Sequence, residues 1–199
     1  MANSVDETRK VKAVALDFDG VITNLDIDWN AAISQASQIV GQDIKSLLTF
    51  YEKYIGTSIF QKVSSEMEKI ELEASRKAQV LPSVKGLLRK LSQKKVEAYV
   101  VSMQSFMVVK GFLDQHELTE FFKGIITRER CPSKKAQVEY ILKETRNSPE
   151  QILLVDDSRR NINLCKELNV ICFYFQRNQD LNKSEETWNK VLNLIDRET

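Results

Sequence analysis

The chain has 199 residues, with 29 lysines and arginines against 28 aspartates and glutamates, and so a net charge of +1. This length fits one domain, or one domain with a modest insertion. The balanced charge, without a basic block, argues against an electrostatic nucleic-acid binder. We expect no signal peptide and no membrane span. The three cysteines form no C-x-x-C pair, which favours free thiols in a reducing cytoplasm.

The first strand is the most informative segment. Residues 11–17 form a short apolar run that ends in Asp17, and Asp19 and Gly20 follow. An apolar run bounded by a turn signal predicts a buried strand of a parallel sheet. Ligands of open α/β sheets bind at the carboxyl ends of the strands. Two acids held there repel each other, which a bound cation or a shared proton relieves.

Residues 24–80 interrupt the alternation of strands and helices. Three successive helical patterns occupy this stretch, with apolar residues spaced by three and four. The first two carry a candidate N-cap, Asp28 and Asp43, and a candidate terminating glycine, Gly41 and Gly56. We expect a small helical insert after the first strand.

From Leu81 onward, strands again alternate with helices. A helix at the start of this part precedes a predicted strand, and helices near residues 106–113, 133–143, 162–168 and 185–195 follow. The strands after the first are predicted at residues 96–101, 124–127, 152–155 and 170–175. This alternation predicts an α/β fold with a doubly wound parallel sheet. Its core would comprise residues 1–23 and 81–199.

Three further polar features lie at predicted strand ends or helix starts. Ser102 ends the second strand, and Lys134 and Lys135 open a helix, where a lysine opposes the helix dipole. Asp156 and Asp157 repeat the pattern of an apolar run that ends in two acids. One of the two lysines must be solvated, and one of the two acids could instead cap the next helix.

Two absences exclude other chemistries. The only histidine, His116, has no partner for a zinc site or a catalytic triad, and we expect it on a helix surface. The six glycines form neither a G-x-G-x-x-G dinucleotide motif nor a P-loop.

In order, the chain presents Asp-x-Asp, then Ser, then Lys, then Asp-Asp, which resembles the four motifs of the haloacid dehalogenase superfamily. Residues 81–104 and 112–142 also resemble phosphoglycolate-phosphatase-like members, and the resemblance covers nearly the whole chain. It implies a Rossmann-like core with a helical cap, of the C1 type, formed by residues 24–80.

This resemblance implies a cytoplasmic phosphatase that hydrolyses a small phosphorylated metabolite through an aspartyl-phosphate. Asp17 would be the nucleophile and Asp19 the general acid and base. Ser102 and Lys134 would hold phosphoryl oxygens. Lys135 remains open as the alternative lysine.

The cofactor implied is Mg²⁺, which prefers oxygen ligands. Its ligands would be Asp17, Asp156, Asp157 and the backbone carbonyl of Asp19. Which of Asp156 and Asp157 binds the metal directly stays open.

Four other functions share part of the pattern. A phosphomutase keeps every motif and is the enzymatic alternative. A receiver domain places its lysine after its acids, and a 2-haloacid dehalogenase does not need Asp19, so neither fits as well. A non-catalytic protein that binds a phosphorylated ligand is the rival from another class. No nucleic acid or membrane partner is expected, and the oligomeric state stays open.

Overall fold

The computed structural model describes residues 10–177 and 181–196. Five strands form its sheet: β1 (Ala13–Asp17), β2 (Glu97–Val101), β3 (Phe122–Ile126), β4 (Ile152–Asp156) and β5 (Ile171–Tyr174). Every pairing is parallel, and the spatial order is β3-β2-β1-β4-β5. The predicted α/β fold with a parallel sheet is confirmed. The observed strands begin or end within two residues of the predicted bounds.

The helices between and after the strands are α1 (Trp29–Val40), α2 (Leu47–Tyr54), α3 (Ser58–Lys77), α4 (Val84–Gln93), α5 (Phe106–Gln115), α6 (Lys134–Thr145), α7 (Arg159–Lys166) and α8 (Leu181–Asp196). Helices α4, α5 and α8 contribute to the apolar cluster on one face of the sheet. Helices α6 and α7 contribute to the cluster on the other face. The sheet is therefore doubly wound, with β1 at its centre.

Strand β1 shows why an uninterrupted apolar run is needed at this position. Its side chains alternate between the two faces of the sheet. Val14 and Leu16 lie in one apolar cluster, whereas Ala13 and Ala15 lie in the other. All four are fully buried. A central parallel strand has no solvent face, so its apolar run continues until the chain reaches the sheet edge at Asp17.

Helices α1, α2 and α3 lie between β1 and α4, and they pack around an apolar cluster of their own. Asp28 caps α1 as predicted, because its carboxylate accepts from the amides of Asn30 and Ala31. The prediction that Asp43 caps α2 is wrong. Ser46 caps this helix, and the amide of Ile44 instead donates to the Ser37 hydroxyl.

The two ends of this helical segment lie side by side. The Thr23 hydroxyl donates to the carbonyl of Gln79 at 2.8 Å, and the amide of Leu81 donates to the carbonyl of Ile22 at 2.9 Å. Thr23 also forms an isolated antiparallel bridge with Val80. The chain therefore leaves the sheet and returns to it at one place.

Among the helices of the described residues, none combines the length and apolar character that a bilayer crossing requires. Cys131, Cys165 and Cys172 are free thiols, as expected. We expected His116 on a helix surface, but the structure does not expose it fully. It is the C-cap residue that follows α5, and it is half-buried, with its ring 4.3 Å from that of Phe112. Leu113 and Leu118, on either side of it in the chain, are both fully buried.

Candidate active site

Three carboxylates meet where the strand order reverses. The chain builds β1, β2 and β3 in one direction and then places β4 on the other side of β1. Asp17 ends β1, Asp156 ends β4, and Asp157 follows directly. Carboxylate oxygens of these three residues all lie within 4.8 Å of one another. The crevice at such a reversal is the usual ligand site of open α/β sheets.

Lys134 closes this cluster from the first turn of α6. Its ammonium donates to Asp17 Oδ1 at 2.8 Å and to the carbonyl of Val101 at 2.7 Å, and lies 3.4 Å from Asp156 Oδ2. Lys135 points away and pairs with Glu167 at the surface. Neighbouring helix residues project about 100° apart, so only one of the two can face the crevice. The structure brings Lys134, and not Lys135, to the carboxylates.

The electrostatics of this cluster favour an added cation. Burial raises the pKa of Asp17 well above its ordinary value, and the carboxylate of Asp156 raises it further, against the opposing effect of Lys134. Burial also raises the pKa of Asp157. Although burial opposes protonation of Lys134, the carboxylates of Asp17 and Asp156 raise its pKa. Three crowded oxygen donors with one ammonium between them fit a hard divalent cation.

Asp156 also has hydrogen-bond partners in the chain that follows it. Asp156 is fully buried and accepts from the amide of Ser158 at 2.8 Å and from Asn161 Nδ2 at 3.1 Å. Neither acid caps α7, contrary to the alternative raised above. Ser158 caps this helix, because its hydroxyl accepts from the amide of Asn161, and Asp156 Oδ2 faces Lys134.

Asp19 lies outside the carboxylate cluster. Its Oδ1 accepts from the amide of Leu25 at 2.8 Å, and its Oδ2 lies 3.3 Å from Nη2 of Arg177. Burial raises the pKa of Asp19 despite these two partners. The raised pKa favours a carboxyl group that can carry a proton, which a general acid requires.

Ser102 directly follows β2, the strand next to β1, and is fully buried. Its hydroxyl donates to Gln104 Oε1 at 2.5 Å, and the amide of Gln104 donates back to the same hydroxyl at 3.1 Å. Its carbonyl accepts from Gln137 Nε2 at 2.7 Å. These bonds fix the turn after β2, so Ser102 stands at the same sheet edge as Asp17.

Arg177 is a site residue that sequence analysis missed. It follows β5 by three residues, and its guanidinium pairs with both Asp157 and Asp19. A Cβ at Gly20 would collide with the side chains of Asp157 and Arg177, and Gly20 also has a φ of +92°. Glycine is therefore required here by both space and backbone conformation. A basic residue just past the last strand was the available signal.

A second missed feature joins the helical insert to the core. Arg128, after β3, is fully buried, and its guanidinium donates to Glu71 Oε1 of α3 at 2.6 Å. It also donates to the hydroxyl and the carbonyl of Ser64 and to the carbonyl of Met103, each at 2.9 Å. The second oxygen of Glu71 accepts from the amide of Ser105 at 3.0 Å. No local pattern signals this pair, because its partners are 57 residues apart.

An open parallel sheet with paired carboxylates and a buried lysine at its reversal defines an enzyme of the Rossmann-like α/β class. The family model of haloacid dehalogenase-like hydrolases matches residues 14–175. The chain belongs to the haloacid dehalogenase-like hydrolase family.

The curated relatives are phosphatases. The phosphoglycolate phosphatase of Vibrio cholerae is 25% identical over 203 residues, which cover 89% of this chain and 88% of that protein. The phosphoglycolate phosphatase of Pseudomonas putida is 31% identical over 96 residues, covering 47% of this chain and 35% of that protein. These relatives confirm the resemblance drawn from the four motifs and the expectation of a phosphatase-type hydrolase.

Solved structures share the fold. A haloacid dehalogenase-like hydrolase from Streptococcus pneumoniae superimposes with a TM-score of 0.65 at 16% identity, covering 92% of this chain and 97% of that chain. CbbY from Rhodobacter sphaeroides, solved in complex with phosphate, superimposes with a TM-score of 0.64 at 14% identity, covering 94% and 100%. At these identities the likeness concerns the fold alone.

The position of Lys134 predicts unequal effects of two adjacent substitutions. Lys134→Ala removes the ammonium that bridges Asp17 and Asp156, whereas Lys135→Ala removes only a surface ion pair. We expect Lys134→Ala to lower kcat/KM for phosphate-ester hydrolysis at least ~100-fold and Lys135→Ala less than about twofold. Steady-state kinetics of the two variants checks this. Equal losses would contradict the assignment.

The buried pair between the insert and the core predicts a large effect on stability. Arg128→Ala leaves Glu71 buried without its main partner, which typically costs about 3–5 kcal/mol. Arg130→Ala is the matched control, because its guanidinium contacts Tyr140 at the surface, and it should cost less than about 1 kcal/mol. Urea unfolding measures both. A similar small loss in the two variants would show that the pair does not join the two parts.

Glu71 also predicts a pH dependence. Burial raises the pKa of Glu71 to about 7, against the opposing effect of Arg128. A carboxyl group with a raised folded-state pKa stabilises the fold below its unfolded pKa, and this contribution is lost as pH rises towards 7. The free energy of unfolding of the wild type should therefore fall relative to that of Glu71→Gln between about pH 4.5 and 7. Urea titrations across this range check the slope, and parallel curves would contradict it.

Proposed function

We propose that this hydrolase is a Mg²⁺-dependent phosphatase that acts on a small phosphorylated metabolite through an aspartyl-phosphate on Asp17. The observation that carries the proposal is the Lys134 ammonium, held between Asp17 and Asp156 where the strand order reverses. A buried cation beside a buried carboxylate suits attack on an anionic phosphate, because it offsets the charge of both reactants. The curated phosphatase relatives support the same reaction.

Asp17 is oriented for nucleophilic attack. Among the described residues, both hydrogen bonds given to its carboxylate go to Oδ1, one from Lys134 and one from the amide of Phe18 at 2.7 Å. Oδ2 is thus the oxygen that attacks phosphorus. The bond from phosphorus to the ester oxygen breaks, and Asp19 donates its proton to the leaving alkoxide. Water then attacks the aspartyl-phosphate while Asp19 takes its proton, and phosphate leaves with Asp17 restored.

Asp17, Asp156 and Asp157 would hold the metal, together with the backbone carbonyl of Asp19 that the family resemblance implies. When bound, Mg²⁺ supplies positive charge that lets a carboxylate approach a phosphate dianion. Ser102 and Lys134 would bind phosphoryl oxygens beside it. Arg177 lies against Asp157 and Asp19, where it keeps both carboxylates at the crevice.

Residues 24–80 would act as a cap over this site. The segment leaves and re-enters the core at one place, beside Thr23, and has an apolar cluster of its own. It contacts the core through the buried pair of Glu71 and Arg128 and through Glu52, whose carboxylate lies 3.5 Å from Arg160. A helical segment over the crevice excludes water from the reaction and favours small substrates over protein surfaces or duplexes.

Asp17→Asn tests the covalent mechanism. The change is nearly isosteric and removes the nucleophilic charge, so we expect release of inorganic phosphate to fall at least ~10³-fold in a folded protein. Asp26→Asn makes the same chemical change at an exposed position at the start of the helical insert, and this control should retain full activity. Circular dichroism verifies the fold of both variants. Substantial turnover by folded Asp17→Asn would overturn the mechanism.

Metal removal tests the cofactor. EDTA should abolish activity and Mg²⁺ should restore it, whereas Ca²⁺ should not, because Ca²⁺ accepts more oxygens in a looser geometry. Mg²⁺ should also raise the melting temperature, since a ligand of the folded state stabilises it. Asp157→Asn should reduce this thermal shift. Full activity in EDTA, or no thermal shift in the wild type, would contradict the metal assignment.

A further inference from the structure

A cavity of about 310 Å³ lies between the helical insert and the turn after β2. Most of its wall is apolar and comes from α1, the first half of α2 and the turn after β2. The apolar wall consists of Trp29, Ile33, Leu47, Leu48, Tyr51 and Met103. Four of these side chains are only partly buried, so the cavity presents apolar surface to whatever enters it. An apolar cavity of roughly 150 Å³ already accommodates benzene.

The charged groups at this cavity have partners within the protein. Glu71 accepts from Arg128 and from the amide of Ser105. Lys45 pairs with Asp43, and its side chain is 87% exposed, so its ammonium lies in solvent. The Arg128 guanidinium, behind Glu71, donates to Glu71, to Ser64 and to the carbonyl of Met103. A carboxylate placed against the apolar part of this wall would lose its water without meeting a buried cation that is free to pair with it, which is unfavourable.

Gln104 connects the cavity to the site of the proposed reaction. It lines the cavity, and its side-chain oxygen accepts the Ser102 hydroxyl at 2.5 Å. Ser102 directly follows β2, which pairs with β1, and Asp17 is the last residue of β1. If Ser102 holds a phosphoryl oxygen, the group esterified to that phosphate can extend along the turn after β2 into the apolar wall.

We propose that the substrate is a phosphate monoester whose alcohol part is apolar and of the size of an aromatic ring or a short alkyl chain. This inference rests on the proposed function and names the substrate class of the same site. It sets the chain apart from its curated relatives, which are named for phosphoglycolate. Phosphoglycolate would present a carboxylate to the apolar wall, whereas an aryl or alkyl group would bury apolar surface there.

The test compares benzyl phosphate with phosphoglycolate. Both are esters of primary alcohols, so the acidity of the leaving group does not decide the comparison. We expect kcat/KM for benzyl phosphate to exceed that for phosphoglycolate at least about tenfold, the scale on which an apolar pocket discriminates. A preference for phosphoglycolate, or equal values, would overturn the inference while the proposed phosphatase stands. No hydrolysis of either ester or of acetyl phosphate would overturn the proposed function, and the inference with it.

A charged variant assigns the discrimination to this wall. Leu48→Lys places an ammonium at the cavity and should lower the ratio of the two kcat/KM values at least about tenfold. Thr49→Lys adds the same charge at the next, exposed position and should leave the ratio within about twofold, because solvent screens it. Equal shifts in both folded variants would overturn the inference. The wild-type comparison decides alone if Leu48→Lys fails to fold.

Discussion

The buried ammonium of Lys134 is the interaction on which the site depends. Removing an ammonium and two carboxylates from water is costly, and only close pairing compensates for it. Asp17 and Asp156 can lie together at the sheet edge because Lys134 stands between them, and Lys134 can be buried because both carboxylates and the Val101 carbonyl receive it. Each of these groups would be unfavourable alone. Strands β1, β2 and β4 can therefore lie side by side only if these charged groups pair with one another, in addition to the burial of the apolar side chains.

The parts of this site that the sequence predicts are those with a local signature. Asp17 and Asp156 follow apolar runs, and a run that stops at an acid indicates the edge of a buried sheet. Lys134 begins a helix, where its charge opposes the dipole and so points to an anionic neighbour. The spacing to the apolar residue Val138 favours Lys134 over Lys135, and the choice is settled by how α6 is rotated against the sheet. Packing of Val138 and Ile141 on the sheet fixes that rotation.

What the sequence did not predict are pairs whose partners are distant along the chain. Arg128 and Glu71 are each ordinary charged residues in a charged sequence, and only the fold buries them together. Arg177 likewise gains its role from the position of β5 beside β4. The error at Asp43 has a similar origin. Ile44 is buried against the insert's own cluster and its amide donates to the Ser37 hydroxyl, so the helix begins later, at Leu47.

The separation of the site residues along the chain has a consequence for synthesis. Asp17 and Lys134 are 117 residues apart, and at ~5–20 residues per second Asp17 leaves the ribosome roughly 6–23 s before its partner. Strand β1 also waits for β4, since parallel neighbours need a long crossover. The nascent chain thus carries the apolar strand β1 without its neighbour β4 until residue 156 has been synthesised. The charges of the site are complete only after Asp156, Asp157 and Arg177 have also been synthesised.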